Sequence, residues 1–259
     1  MKKKILLVAP VLALIPSLAA AEVNQPQEII NRPRTLPAGQ LELGADLHID
    51  AFGDGDLGLA LGVPLVPDYG QGPGLSIGYG VNEKLEVRAR YAMLLKEFEA
   101  KGSLDVSAAY SILDAGNLTA ALDGGIGYTL LEPVDGLNPL TLGAEVQFKL
   151  SDKMAIFTPG HQLSIGLEDP QPINLTVPVG LGYQANEKIF VSMQTQALNL
   201  GLKDSDSSVI LADPTPLSLQ LRFSPSNTMD LGGGITFADI TDGDSISEPL
   251  LNLSARLYM

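Results

Sequence analysis

Residues 41–50 read Leu41-Glu42-Leu43-Gly44-Ala45-Asp46-Leu47-His48-Ile49-Asp50. Apolar side chains take every odd position, and charged or small ones take every even position, so the pattern has a period of two. Successive side chains of an extended strand point to opposite faces, so this stretch predicts a strand with one apolar and one charged face.

The same alternation recurs along the chain. Leu75, Ile77, Tyr79 and Val81 alternate with Ser76, Gly78 and Gly80, and after Asn82-Glu83-Lys84 the run Leu85 to Met93 sets Glu86, Arg88 and Arg90 between its apolar residues. Leu104 to Ile112, Leu118 to Tyr128, Leu140 to Leu150, Ile173 to Tyr183, Ile189 to Ala197, Leu217 to Phe223, Met229 to Phe237 and Leu251 to Met259 repeat the design. Met154 to Leu167 slips phase around Pro159 and Gly160 and reads as one bulged strand. The total is twelve candidate strands, or fourteen if Leu57 to Leu65 also spans.

Connection length sorts the architectures. Short turns at Asn82–Lys84, Leu113–Asn117, Ser151–Lys153, Gln184–Lys188 and Pro225–Asn227 tend to alternate with longer segments at Ala51–Gly74, Lys96–Gly102, Leu130–Pro139, Leu200–Pro214 and Ala238–Pro249, while Glu168–Pro172 falls on the long side by position but is no longer than the larger turns. A soluble sandwich has no reason to alternate in this way. An outer-membrane barrel has short periplasmic turns and long outer loops, and an even strand number puts both termini on the periplasmic side. The predicted fold class is therefore all-β, a transmembrane antiparallel up-and-down barrel of about twelve strands.

The two faces agree with that assignment. The apolar face is mostly Leu, Val, Ile and Ala, which suits lipid, and the opposite face carries Asp, Glu, Arg, Gln, Ser and Gly, which suits a lumen. Outward aromatics recur near the end of every strand read as running toward the periplasm except the last, at Tyr79, Tyr110, Phe148, Tyr183 and Phe223, as an interfacial girdle requires. Tyr91, Tyr128 and Phe237 would mark the other rim.

The start of the chain has a different character. Lys2 to Lys4, the apolar run Ile5 to Leu14 and Ala19-Ala20-Ala21 have the layout of a cleaved secretory signal peptide, residues 1–21; the apolar run is too short for a spanning helix. Residues 22–39, with Pro26, Pro33 and Pro37, read as an extended periplasmic leader, and residues 40–259 as the barrel. Cleavage would leave 13 basic residues against 30 acidic ones, a formal charge of −17.

Composition removes other classes. No Cys excludes disulfides and thiol chemistry, two His make a multi-histidine site improbable, and a net charge of −14 argues against nucleic acid as a partner.

Signal layout, period-two strands, alternating loop lengths and the final strand Leu251-Asn252-Leu253-Ser254-Ala255-Arg256-Leu257-Tyr258-Met259 together resemble the bacterial outer-membrane β-barrel proteins. The last strand is similar to the terminal signal that barrel-assembly machinery reads, with Met259 where that signal usually has Phe. The run from Ile30-Asn31-Arg32-Pro33 to Leu41 has a faint similarity to porin-like barrels of the phenol meta-pathway type. The resemblance implies outer-membrane location, with outer-membrane lipids, lipopolysaccharide and the assembly machinery as partners.

Twelve strands spaced about 4.8 Å and tilted about 40° give a backbone radius of roughly 12 Å, so inward side chains decide whether the lumen is open. The inward acids are Glu42, Asp46, Asp50, Glu86, Asp105, Asp123, Glu145 and Asp230; the bases are Arg88, Arg90, Lys149, Arg222 and Arg256. One reading is a mildly cation-favouring passage for small polar or ionic solutes, with Asp46, Asp50, Asp105 and Asp123 at a constriction, Arg88 and Arg90 opposite, and Glu86 and Glu145 also lining the pore. The other is electrostatic filling, in which these charges pair across the barrel and block flow.

The D-x-D pairs Asp54/Asp56, Asp204/Asp206 and Asp242/Asp244 fall in acidic outer loops, match no calcium loop, and read as solvated surface. A non-conducting adhesion or structural barrel acting through those loops is the alternative function. A lipid hydrolase would have to use His48, or His161 with Ser164, and neither has a nucleophile context. No catalytic residue, cofactor or metal ligand is assigned, and the oligomeric state is left open.

Overall fold

The computed structural model describes residue 23 and residues 25–50, 74–93, 102–129, 136–167, 171–203, 215–241 and 249–259, with the side chains of residues 48–50, 93 and 203 excepted. The signal segment, the candidate strand Leu57 to Leu65 and the three D-x-D pairs lie outside the described residues.

The strands are β1 (Leu41–Asp50), β2 (Gly74–Gly80), β3 (Leu85–Met93), β4 (Gly102–Ala115), β5 (Leu118–Thr129), β6 (Gly136–Leu137), β7 (Leu140–Lys149), β8 (Met154–Thr158), β9 (Leu163–Ile165), β10 (Ile173–Asn186), β11 (Ile189–Lys203), β12 (Leu217–Ser226), β13 (Met229–Phe237) and β14 (Leu250–Tyr258). All pairings are antiparallel and almost all join strands adjacent in sequence. Two-residue β6 precedes β7 along the same edge of β5, while β8 and β9 lie end to end between β7 and β10. The fourteen segments therefore make twelve walls.

The ring closes where β1 meets β14, with Glu42 opposite Tyr258 and Asp50 opposite Leu250. The seam extends to the last residue, because Leu41 N–H donates to Met259 O at 2.7 Å and Met259 N–H returns the bond to Leu41 O at 2.8 Å. With β1 paired to β14 on one side and β2 on the other, the ring has no gap for a further wall strand. Closure joins the first and last strands and so removes the free edges of the sheet, which a barrel in lipid requires.

Alternation fixes which face looks out. Leu75, Val106 and Leu221 are about half exposed, at 49–50%, whereas the inward Glu42, Gln184 and Ser218 are at 2% or less. The apolar exterior and polar interior are the reverse of a soluble barrel. All five girdle aromatics, Tyr79, Tyr110, Phe148, Tyr183 and Phe223, are exposed on the outer face near the short-turn ends of their strands. No helix among the described residues is long and apolar enough to cross a membrane.

The bulged strand of the sequence reading resolves into β8 and β9, with Pro159 to Gln162 folded inward between them. Residues 25–39, part of the expected leader, enter the short-turn end of the ring and lie against inward side chains of several strands.

Candidate functional site

The lumen holds a cavity of about 950 Å³. Its lining includes Asp46, Glu86, Arg88, Arg90, Asp105, Asp123 and Glu145, all expected to face inward, together with Glu42, Arg222 and Arg256. Asp50 lies on β1 opposite Leu250, and its side chain is outside the described residues.

The arrangement of these charges differs from the expectation of acids facing arginines across the pore. On β2 the inward positions are Gly74, Ser76, Gly78 and Gly80, so the wall is thin between β1 and β3. Glu42 on β1, Gly78 on β2 and Arg88 on β3 occupy one cross-strand row. Arg88 lies over that glycine and places Nη2 3.3 Å from Glu42 and 2.7 Å from Glu86 on its own strand. Arg90 lies over Gly74 in the same way, and its Nη2 donates to Asp46 Oδ2 at 2.8 Å. These ion pairs run along the wall between neighbouring strands.

Asp105 is likewise held at the wall. It accepts from Ser103 Oγ at 3.1 Å and from Asn138 Nδ2 at 2.9 Å. The opposite sector, β10 and β11, has no inward charge among the described side chains and presents Asn174, Thr176, Gln184, Ser192, Gln194 and Gln196 instead. A charged sector thus faces a sector of amides and hydroxyls.

Asp123 has a structural task. Gly143 to Glu145 of β7 pair with β5 on one side, but the interruption between β8 and β9 leaves them without a strand partner on the other, and the Gln162 side chain substitutes for one. Its Oε1 accepts from Ala144 N–H at 2.6 Å and its Nε2 donates to Ala144 O at 2.8 Å, as a neighbouring peptide group would. Pro159 to His161 is displaced over Gly143, where a Cβ would stand 2.3 Å from His161 N. Asp123 secures this turn by accepting from His161 N–H at 2.9 Å and lying 2.7 Å from its Nε2. His161 has a φ of 63°, an uncommon conformation for a residue other than glycine, which these bonds hold in place. The imidazole considered for catalysis is thus the fastening of a wall segment. Among the described residues no three carboxylate or imidazole side chains gather as metal ligands do.

The sequence reading took the N-terminal segment as an extended leader and did not place it inside the barrel mouth. Gln25 Nε2 donates to Asn227 O at 3.3 Å and Gln27 Nε2 to Ser224 O at 2.8 Å, both at the β12–β13 end. Ile30 crosses to the other side of the ring, where its N–H donates to Gln184 Oε1 at 3.2 Å and its O accepts from Gln147 Nε2 at 2.9 Å. Leu36 N–H donates to Glu86 Oε2 on β3 at 2.9 Å. Pro37 and Gly39 then pass against Gly80, where an added Cβ would fall 1.9 Å from Pro37 O, so only glycine fits. The segment is a strap across the short-turn mouth and forms the floor of the cavity.

Its sequence accounts for this path. Pro26, Pro33 and Pro37 lack N–H donors and cannot join a ladder. Ile29 and Ile30 are buried in a cluster with Phe190 and Ala155, contributing about 1.5–3 kcal/mol each. Arg32 is bound to Asp230 by both guanidinium arms, with Ser224 and Tyr258 donating to the same carboxylate at 2.7 and 2.9 Å and the Tyr258 ring 5.3 Å from the guanidinium. The available signal was the apolar pair Ile29-Ile30 in an otherwise polar leader.

No protein-family model matches the chain, and no curated protein matches it in sequence. Among solved structures, the NanC porin is 9% identical, with a TM-score of 0.52 over 84% of this chain and 98% of that one. The KdgM porin is 5% identical, with a TM-score of 0.52 over the same shares. The fold is that of an outer-membrane β-barrel. At these identities the likeness concerns the barrel itself, and the lining of this barrel has to be argued from its own residues.

Proposed function

We propose that the barrel is a passive outer-membrane channel for small polar or ionic solutes, with a weak cation preference. The observation that carries this reading is the course of the ion pairs Arg88–Glu42 and Arg90–Asp46, which hug the wall over the glycines of β2 and leave a cavity of about 950 Å³ beside them. Filling would require these charges to meet across the axis. The two structural neighbours are porins by name, which agrees with the reading without specifying a solute.

The wall supports a cation preference, since Glu42, Asp46, Glu86, Asp105, Asp123, Glu145 and Asp230 outnumber Arg88, Arg90, Lys149, Arg222 and Arg256. An excess of carboxylates in a narrow, low-dielectric passage raises the local concentration of cations. The strap adds Arg32 and Arg34, which keeps the preference weak.

The competing reading is a non-conducting barrel acting through its acidic outer loops, and the floor across the mouth is the observation that favours it. Swelling of proteoliposomes in graded neutral sugars and amino acids separates the two. The channel reading expects swelling that slows as solute size rises, whereas protein-dependent swelling with no solute would leave the loop reading in place.

A further inference from the structure

We propose that the N-terminal strap, residues 25–37, is the narrowest part of the permeation path, and that Arg34 is the residue that sets charge selectivity there. The inference rests on the channel reading and deepens it.

Three observations lead to it. First, the strap touches β12 and β13 through Gln25 and Gln27, β7 and β10 through Ile30, and β3 through Leu36, so a solute moving along the axis has to pass beside it. No other described segment crosses the ring in this way; Pro159 to Gln162 stays over β7 and β5.

Second, the strap is fastened at sites distributed around the ring. Arg32–Asp230 locks its middle, Ile29 and Ile30 fill an apolar recess, and the peptide of Leu36 is held by Glu86. Distributed anchors of this kind describe a fixed constriction.

Third, the two strap arginines are used differently. Arg32 is consumed by Asp230. Arg34 donates from Nη2 to Arg32 O at 3.3 Å, its Nε has no hydrogen-bond partner, and the charged groups acting on it are Glu145 on β7 and Arg222 on β12. Arg34 lines the cavity from the strap, where it adds positive charge to a path whose wall is acidic. A charge at a constriction acts on permeating ions more strongly than one in a wide vestibule, because less water intervenes.

The test is planar-bilayer recording under a KCl gradient, with the native protein, a deletion of residues 25–37, R34Q and R34K, each shown to be folded by circular dichroism and by resistance of the barrel to protease. The deletion is expected to raise conductance several-fold and move the reversal potential toward cation selectivity. R34Q is expected to move the reversal potential in the same direction with conductance close to native, and R34K to restore it. A silent native protein beside a conducting deletion also supports the strap as the barrier. Equal conductance in native protein and deletion, or an unchanged reversal potential in R34Q, overturns the inference and leaves the channel reading standing. Silence of both native protein and deletion in the inserted state overturns the channel reading itself. If the deletion does not fold, R34Q and R34K still decide the role of Arg34.

Discussion

Arg32 and Asp230, 198 positions apart in sequence, meet as a two-armed ion pair inside the short-turn end of the barrel. Both side chains are almost fully buried, at 9% and 4% exposure. Removing one partner of such a pair leaves the other buried and uncompensated, a loss of about 3–5 kcal/mol when nothing relaxes. Here the strap can relax by leaving. D230N is therefore expected to free the strap while the ring stays closed, so that trypsin cleaves the Arg34-Thr35 bond in the variant and spares it in the native protein. Equal protection in both would show that the other anchors suffice.

Tyr258 offers a milder version of the same test. Its hydroxyl donates to Asp230 at 2.9 Å, while its ring packs against Arg32. Y258F keeps the ring and loses the bond to Asp230 together with the longer one, at 3.3 Å, that the hydroxyl accepts from Arg32 Nη1, a cost of about 1.5–3 kcal/mol for the shorter bond. Urea unfolding in detergent should register a small fall in the midpoint with the barrel spectrum intact, and no change would remove the hydroxyl from the set of anchors.

Asp46 and Asp50 are the wall acids expected to favour cations. D46N also frees Arg90, its partner at 2.8 Å, so the local charge changes by one unit toward positive. The double variant D46N/D50N is expected to lower cation preference in a reversal-potential measurement. Unchanged selectivity would take both residues out of the pathway.

Gly143 controls the inward turn. A methyl group there would stand 2.3 Å from His161 N and 2.2 Å from Gln162 Oε1, and the first of these is backbone that cannot swing aside. G143A is expected to push the turn off β7 at a cost of about 1–3 kcal/mol, the usual range for overpacking. Q162A tests the same element from the other side, since it strips Ala144 of its N–H and C=O partners at about 1–3 kcal/mol. Loss of stability in only one of the two variants would contradict the picture of one fastened turn.

The barrel was legible because its determinant is local. Leu41 to Asp50 alternates residue by residue, and the ring repeats that pattern, so the strands and the facing of Tyr79 or Asp123 follow from sequence position, while the choice of twelve walls over fourteen rests on the pairing of β1 with β14 and β2. The inward identity of Glu42, Asp46, Glu86, Arg88, Arg90, Asp105, Asp123 and Glu145 followed from the same parity. Which charges meet did not, since Arg90 reaches Asp46 only because Gly74 on the intervening strand has no side chain, a relationship between three strands. The strap was illegible for a related reason. Its prolines announce an irregular segment, but Arg32 finds Asp230, and Ile30 finds Gln184, only once the ring has brought β10 and β13 to the same mouth.

Single-channel recording of the refolded protein in a planar bilayer under a salt gradient tests the central claim most directly. The account predicts discrete conductance steps with a reversal potential on the cation side. Persistent silence from protein shown to be folded and inserted, with the strap removed as well as in place, would contradict it and identify the lumen as a filled wall.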